Sequence, residues 1–153
     1  MGDPLEGMVD VSGREPTPRR AVAEGFLLAD PDAIEAIREN RLPKSDPIPT
    51  ARAAALLAVK ETPRLVPHCH PIHVTSAEVR FEFAANSVRA VCEVRALDRT
   101  GPQVEAMQGV TTALLVLYDM AKAICPTAQI ARVALLEKEG GRSGHWRAED
   151  ADA

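Results

Sequence analysis

The stretch QVEAMQGVTTALLVLYDMAKAI, residues 103–124, constrains this chain more than any other. Wound as a helix, it carries apolar or small residues on almost every azimuth from Val110 to Ile124, whereas a surface helix keeps one polar face. A helix lying on an antiparallel sheet buries only one of its sides. Burial of the other side therefore points to a second subunit. Asp119 and Lys122 stand within the apolar run, three residues apart and so neighbours on the helix surface. They read either as an ion pair closing the last turn or as a partly desolvated lysine beside a carboxylate, working as acid or base. Burial lowers a lysine pKa and a nearby aspartate raises it, and the sequence leaves the balance open.

The elements around this helix follow from shorter patterns. AVAEGFLLA (21–29) reads as a strand, and PDAIEAIREN (31–40) as a helix begun by Pro-Asp. The loop LPKSDPIP leads into TARAAALLAVKE (50–61), an alanine-rich helix. HVTSAEVRFEFA (73–84) alternates and then changes phase, as a strand with a bulge does. After a turn at Asn86-Ser87, SVRAVCEVRAL (87–97) sets Val88, Ala90, Cys92 and Val94 against Arg89, Val91, Glu93 and Arg95, which is one strand of a half-exposed hairpin. AQIARVALLEK (128–138) is the last strand. The order β-α-α-β-β-α-β predicts an α+β fold, a ferredoxin-like antiparallel sheet with helices packed on one face. Residues 9–138 form the single expected domain. Residues 1–8 and 139–153 are too polar to pack and are expected as flexible tails, the second Gly-rich and charged.

Composition excludes several function classes. A net charge of -4 does not suit a general nucleic-acid binder, which needs surplus lysine and arginine to displace counterions. No apolar run reaches the roughly 20 residues that cross a bilayer. The cysteines, Cys69, Cys92 and Cys125, are odd in number and widely spaced, and no charged-then-apolar leader precedes the domain, so a reducing, cytoplasmic setting is expected.

PHCHPIH (67–73) holds three of the four histidines. His-x-His on a strand shares one face and occurs in metal enzymes. A zinc site here requires His73 to join His68 and His70 across a proline, with a carboxylate as fourth ligand. The competing readings are histidine as proton carrier or phosphate donor, and ordinary strand-end residues. GGRSG (140–144) lacks the first spaced glycine and the lysine of a nucleotide-binding P-loop. Either Arg142 and Ser143 close over an anion or the segment is a solvated tail.

Taken together, MVDVSGREPTPRRAVAEG, LPKSDPIPTARAAALLAVKETPRLVPHCHPIHVTSAEV, GPQVEAMQGVTTALLVLYDMAKAI and LLEKEGGRSG resemble the molybdenum cofactor biosynthesis protein C family, in the same order from about Met8 to Gly144. The resemblance implies a hexamer built as a trimer of dimers, with active sites at the dimer interface. It implies a lyase that converts 3′,8-cyclo-7,8-dihydroguanosine 5′-triphosphate to cyclic pyranopterin monophosphate and pyrophosphate. It implies no tightly bound cofactor, Mg²⁺ entering only with the triphosphate. Lys44 matches a functional lysine of the family, and Asp119 and Lys122 match its Tyr-Asp-Met-x-Lys motif. Lys44 and Lys122 are then expected in proton transfer and charge stabilisation, with Asp119 orienting Lys122 or shuttling a proton. His70 matches the histidine of Cys-His-Pro, in a substrate-contact segment with His68 and Cys69. Val104 and Glu105 fall at further substrate contacts. Arg19 and Lys60 match cations suited to phosphate, and Arg14 stands where the family often has a basic residue.

This chain departs from the family pattern at several positions. Gly-x-Glu-Met-Glu is Gly101-Pro102-Gln103-Val104-Glu105, Lys-Gly-Asp is Lys44-Ser45-Asp46, and Lys-Arg-Thr is Lys60-Glu61-Thr62. Gln103 can hydrogen-bond to a purine edge but cannot act as a base. The departures leave a competing expectation, a catalytically impaired paralogue that binds nucleotides or regulates on the same hexameric scaffold. A metal-dependent hydrolase built on the histidines is a third.

Overall fold

The computed structural model describes residues 7–149. The elements run β1 (Thr17–Leu28), α1 (Pro31–Arg38), α2 (Pro47–Leu65), β2 (Val74–Ala84), β3 (Ser87–Asp98), α3 (Gln103–Ala121), β4 (Gln129–Glu139) and β5 (His145–Arg147). They build the expected α+β fold, an antiparallel sheet ordered β2-β3-β1-β4-β5 with three helices packed on it. β1 and β3 pair without interruption from Thr17↔Asp98 to Leu28↔Ser87. β2 has a register shift at its start, between Val74 and Ser76, and not after Val79, where the sequence pattern puts the change of phase; from Ala77 the alternation runs on unbroken, with Val79, Phe81 and Phe83 on the core side.

The core lies between sheet and helices. Val88, Ala90, Cys92 and Val94 of β3 point inward and are fully buried, as their alternation requires. α3 meets them with Ala106, Val110, Ala113, Leu114, Leu117 and Ala121, all buried at three- and four-residue spacing. Two glycines set how closely α3 can lie. A Cβ on Gly25 would stand 2.8 Å from Val110 and 2.9 Å from Leu114, and one on Gly109 would stand 2.8 Å from the Cys92 sulfur. On its outward side α3 leaves Leu115 54% exposed, and α2 leaves Leu57 61% exposed. The all-round apolar character of residues 110–124 is thus half satisfied within one chain.

Several boundaries differ from those read in the sequence. α2 begins at Pro47 and not at residue 50, because a proline in the first turn has no amide that the helix needs. It continues to Leu65 past Pro63. α3 ends at Ala121, with Lys122 as its capping residue. The stretch expected as a C-terminal tail contains β5, whose residues His145–Arg147 pair with Glu137–Glu139. His145 and Arg147 both bond to Glu137, at 2.7 and 3.2 Å, and Arg20 adds a third contact at 3.2 Å. These partners, the His145 hydrogen bond foremost, hold the Glu137 carboxyl down at about 2. The N-terminal stretch 1–8 and residues 150–153 lie almost wholly outside the described residues.

Candidate active site

Two polar clusters form at opposite ends of α3. At its C-terminal end, Asp119 accepts hydrogen bonds on both carboxylate oxygens, from Lys44 Nζ at 2.8 Å and Lys122 Nζ at 2.9 Å. The helix supplies Asp119 and Lys122 one turn apart. Lys44 comes from the loop before α2. The two lysines, chiefly Lys44, hold the Asp119 carboxyl below the usual carboxylate range. Asp119 in turn raises Lys122. The balance left open by the sequence is settled by exposure. The Lys122 side chain is 52% exposed, so desolvation is minor and the aspartate prevails. Lys122 therefore stands as a cation beside the Asp119 anion.

The loop that presents Lys44 is strained. Ser45 has φ 134°, in the region that favours glycine. It occupies the position where the resembling family carries glycine. Ser45→Gly is expected to stabilise the chain by about 1 kcal/mol, the strain relieved exceeding the entropy a glycine adds to the unfolded chain. Urea unfolding of the two proteins measures it, and a variant no more stable than the parent would show that the loop carries no such strain.

At the other end, Glu105 of α3 is 1% exposed. Its Oε1 accepts from the Cys69 thiol at 3.4 Å, and its Oε2 has no partner among the described residues. Burial pushes the Glu105 carboxyl up, against the pull of its own backbone amide and of Cys69. Burial, and then the neighbouring glutamate, push the Cys69 thiol to about 12, so Cys69 serves as a donor and not as a nucleophile. Glu105 lines a cavity of about 390 Å³ together with Lys60, Pro63, Pro71 and His73. His70 Nε2 lies 2.7 Å from the Val9 carbonyl, which can only accept, so Nε2 carries the hydrogen. Arg19 donates to Thr17 Oγ1 at 2.8 Å and to the Arg99 carbonyl at 3.2 Å.

The raised Glu105 carboxyl makes a pH prediction. A group whose folded pKa exceeds its unfolded value contributes stability fully below the unfolded value, here 4.5, and loses it as pH rises through the folded one. Glu105→Gln, which keeps the shape without the charge, should therefore gain on the parent as pH rises from about 4.5 to 8. Melting curves across that range test this. A gap that does not change with pH would mean the carboxyl is not desolvated.

The structure sorts the remaining sequence-predicted residues. His68 is exposed, and His73 contributes its backbone amide to Asp98 Oδ2 at 2.8 Å. The three histidines do not come together as a ligand set among the described residues. The group close enough to hold a metal is Glu137, Glu139 and His145, but Arg20 and Arg147 already occupy Glu137. Val104 is 40% exposed at the start of α3. Glu61, the acid that replaces a family arginine, pairs with Arg64 at 3.3 Å, which blunts its charge toward Lys60. The Cys69–Glu105 contact was not anticipated. Its one signal was an acid opening an otherwise apolar helix.

Comparison with known proteins finds similar chains of nearly the same length. A protein named cyclic pyranopterin monophosphate synthase from Pelobacter propionicus is 43% identical over 94% of this chain and 91% of its own length. One from Corynebacterium efficiens is 42% identical over 91% and 90%. A relative named probable cyclic pyranopterin monophosphate synthase from Pyrococcus abyssi is 41% identical over 86% and 87%. The MoaC family model matches residues 8–141. With both the relatives and the family model spanning nearly its whole length, the chain belongs to the MoaC family.

Proposed function

We propose that the chain is a cyclic pyranopterin monophosphate synthase, a lyase in molybdenum cofactor biosynthesis acting on 3′,8-cyclo-7,8-dihydroguanosine 5′-triphosphate and releasing pyrophosphate. The observation that carries this reading is Asp119 held between Lys44 and Lys122. The reaction needs no net electron transfer. It needs protons moved during ring opening and reclosure, and positive charge at the α-phosphorus while a ribose-derived hydroxyl attacks it and pyrophosphate leaves. Lys44 and Lys122 supply the charge and the protons, and Asp119 fixes both ammonium groups and passes protons between them. Cys69, His70, Val104 and Glu105 bind the bicyclic end of the substrate, beside His68. Arg19 and Lys60 face its phosphates, and any Mg²⁺ arrives with them.

The two clusters lie at Glu105 and Asp119, near the two ends of α3. At a helical rise of about 1.5 Å per residue, that separation is about 21 Å. Such a span supports a site shared between subunits, with Lys44, Asp119 and Lys122 from one chain facing Lys60, His70 and Glu105 from another. The apolar outer sides of α2 and α3 suit such a dimer, and three dimers complete the hexamer. Three free cysteines suit a cytoplasmic enzyme.

Mixing the purified chain with the enzymatically made cyclic triphosphate tests the proposal. Cyclic pyranopterin monophosphate and pyrophosphate should appear in equal amounts. Survival of the substrate, while a relative consumes it in parallel, would make this chain a binding paralogue.

A further inference from the structure

MVDVSGREP, residues 8–16, precedes β1 and forms neither helix nor strand. Met8 and Val9 are 44% and 45% exposed, so burial does not hold the start of this segment in place. Hydrogen bonds do. The Ser12 amide donates to Asp10 Oδ1 at 2.9 Å and the Arg14 amide to the Val11 carbonyl at 3.0 Å, an aspartate-led turn of the kind that fixes a chain locally. Arg99 Nε donates to the Arg14 carbonyl at 2.9 Å. At the other end the Val9 carbonyl accepts from His70 Nε2 at 2.7 Å.

These contacts close a circuit. Asp98 accepts from the Arg99 amide on one carboxylate oxygen and from the His73 amide on the other, both at 2.8 Å. From His70 the connection runs through Val9, Arg14, Arg99, Asp98 and His73 back to its own segment, so a ring of bonds frames one imidazole. The consequence is chemical. A neutral imidazole carries one hydrogen, and the partner of one nitrogen decides what the other can do. With Nε2–H committed to Val9, Nδ1 is a bare acceptor, without a partner among the described residues.

We propose that residues 9–14 are a positioning strap for His70, in which the Val9 carbonyl holds Nε2–H and leaves Nδ1 as the acceptor for an N–H or O–H group of the ligand. That this donor belongs to the bicyclic end of the cyclic triphosphate rests on the synthase reading; the strap does not. When the donor's proton moves to Nδ1, its electron pair stays on the ligand and the imidazolium keeps its bond to Val9. Asp10 supplies the counter-charge, its carboxyl held down chiefly by the Ser12 amide and further by His70. The other acids tied to this segment are Glu105, through Cys69, and Asp98, through His73.

Two truncations test the strap. Removing residues 1–6 keeps the Val9 carbonyl, and removing residues 1–10 takes it away. Residues 7–10 are all exposed, so the core is untouched. Nitrogen-15 spectra of histidine-labelled protein in mildly alkaline buffer, assigned against His70→Gln, should show the His70 hydrogen on Nε2, in slow exchange with water, for the parent and the shorter truncation. The longer truncation should lose that slow exchange. Its turnover of the cyclic triphosphate should fall at least about tenfold, as expected of a misplaced reacting group, with the melting temperature unchanged. A parent whose His70 carries its hydrogen on Nδ1, or a longer truncation that keeps the slow Nε2–H, overturns the strap. So does turnover by the longer truncation at or above the parent's rate, which would make the segment a bystander or a cover. If the parent leaves the cyclic triphosphate unchanged, the synthase reading fails, and the nitrogen-15 result alone decides the strap.

Discussion

Lys122→Ala lowers turnover by about a thousandfold, within the range typical of a lost acid–base group, and leaves the fold intact. The side chain is half exposed at the C-terminal cap of α3, so its removal opens no cavity. Asp119 keeps its other oxygen on Lys44 and stays ionised. What disappears is one of the two ammonium groups that the reaction needs. Pyrophosphate release under saturating substrate measures the loss, and circular dichroism checks the fold. Product formation by the variant at the parent's rate would remove Lys122 from the chemistry.

Leu114→Ala destabilises the chain by about 3 kcal/mol, within the usual range for a buried leucine. Leu114 has no exposed surface and lies over Gly25, where a single added carbon would already meet it at 2.9 Å. Packing that close collapses poorly around a void, so the cavity cost adds to the lost transfer energy. The melting temperature should fall by roughly 10 °C for a chain of this size. The neighbouring Leu115 gives the contrast, being 54% exposed. Within an isolated chain, Leu115→Ala changes stability by no more than about 0.5 kcal/mol. If a second copy covers that side, as proposed, Leu115→Ala instead makes the melting temperature more dependent on protein concentration. A cost below about 1 kcal/mol for Leu114→Ala would mean that α3 is not seated on β1 as described.

Patterns that depend on immediate neighbours were legible in the sequence. The inward set Val88, Ala90, Cys92 and Val94 followed from alternation, whereas the β2 irregularity lies at Val74 and not after Val79, where the sequence pattern put it. β5 was not legible, because three residues carry no periodicity and its attachment depends on Glu137, eight residues before His145. The Asp119–Lys122 pair was visible from its spacing. Lys44, the third member, is 75 residues from Asp119, and only the family resemblance pointed to it. Glu105 was placed in the site by the same resemblance, but its near-complete burial runs against residue type and needed the fold. The apolar outer side of α3 was read as an interface, and in the single chain it is exposed at Leu115.

Trp146 is the only tryptophan in the sequence, and it sits on β5, 41% exposed. Intrinsic fluorescence of the unlabelled protein therefore reports on one hairpin, the one whose connecting loop rests on Arg19. Stopped-flow emission can show whether that loop responds to the cyclic triphosphate, with no second indole to confuse the signal.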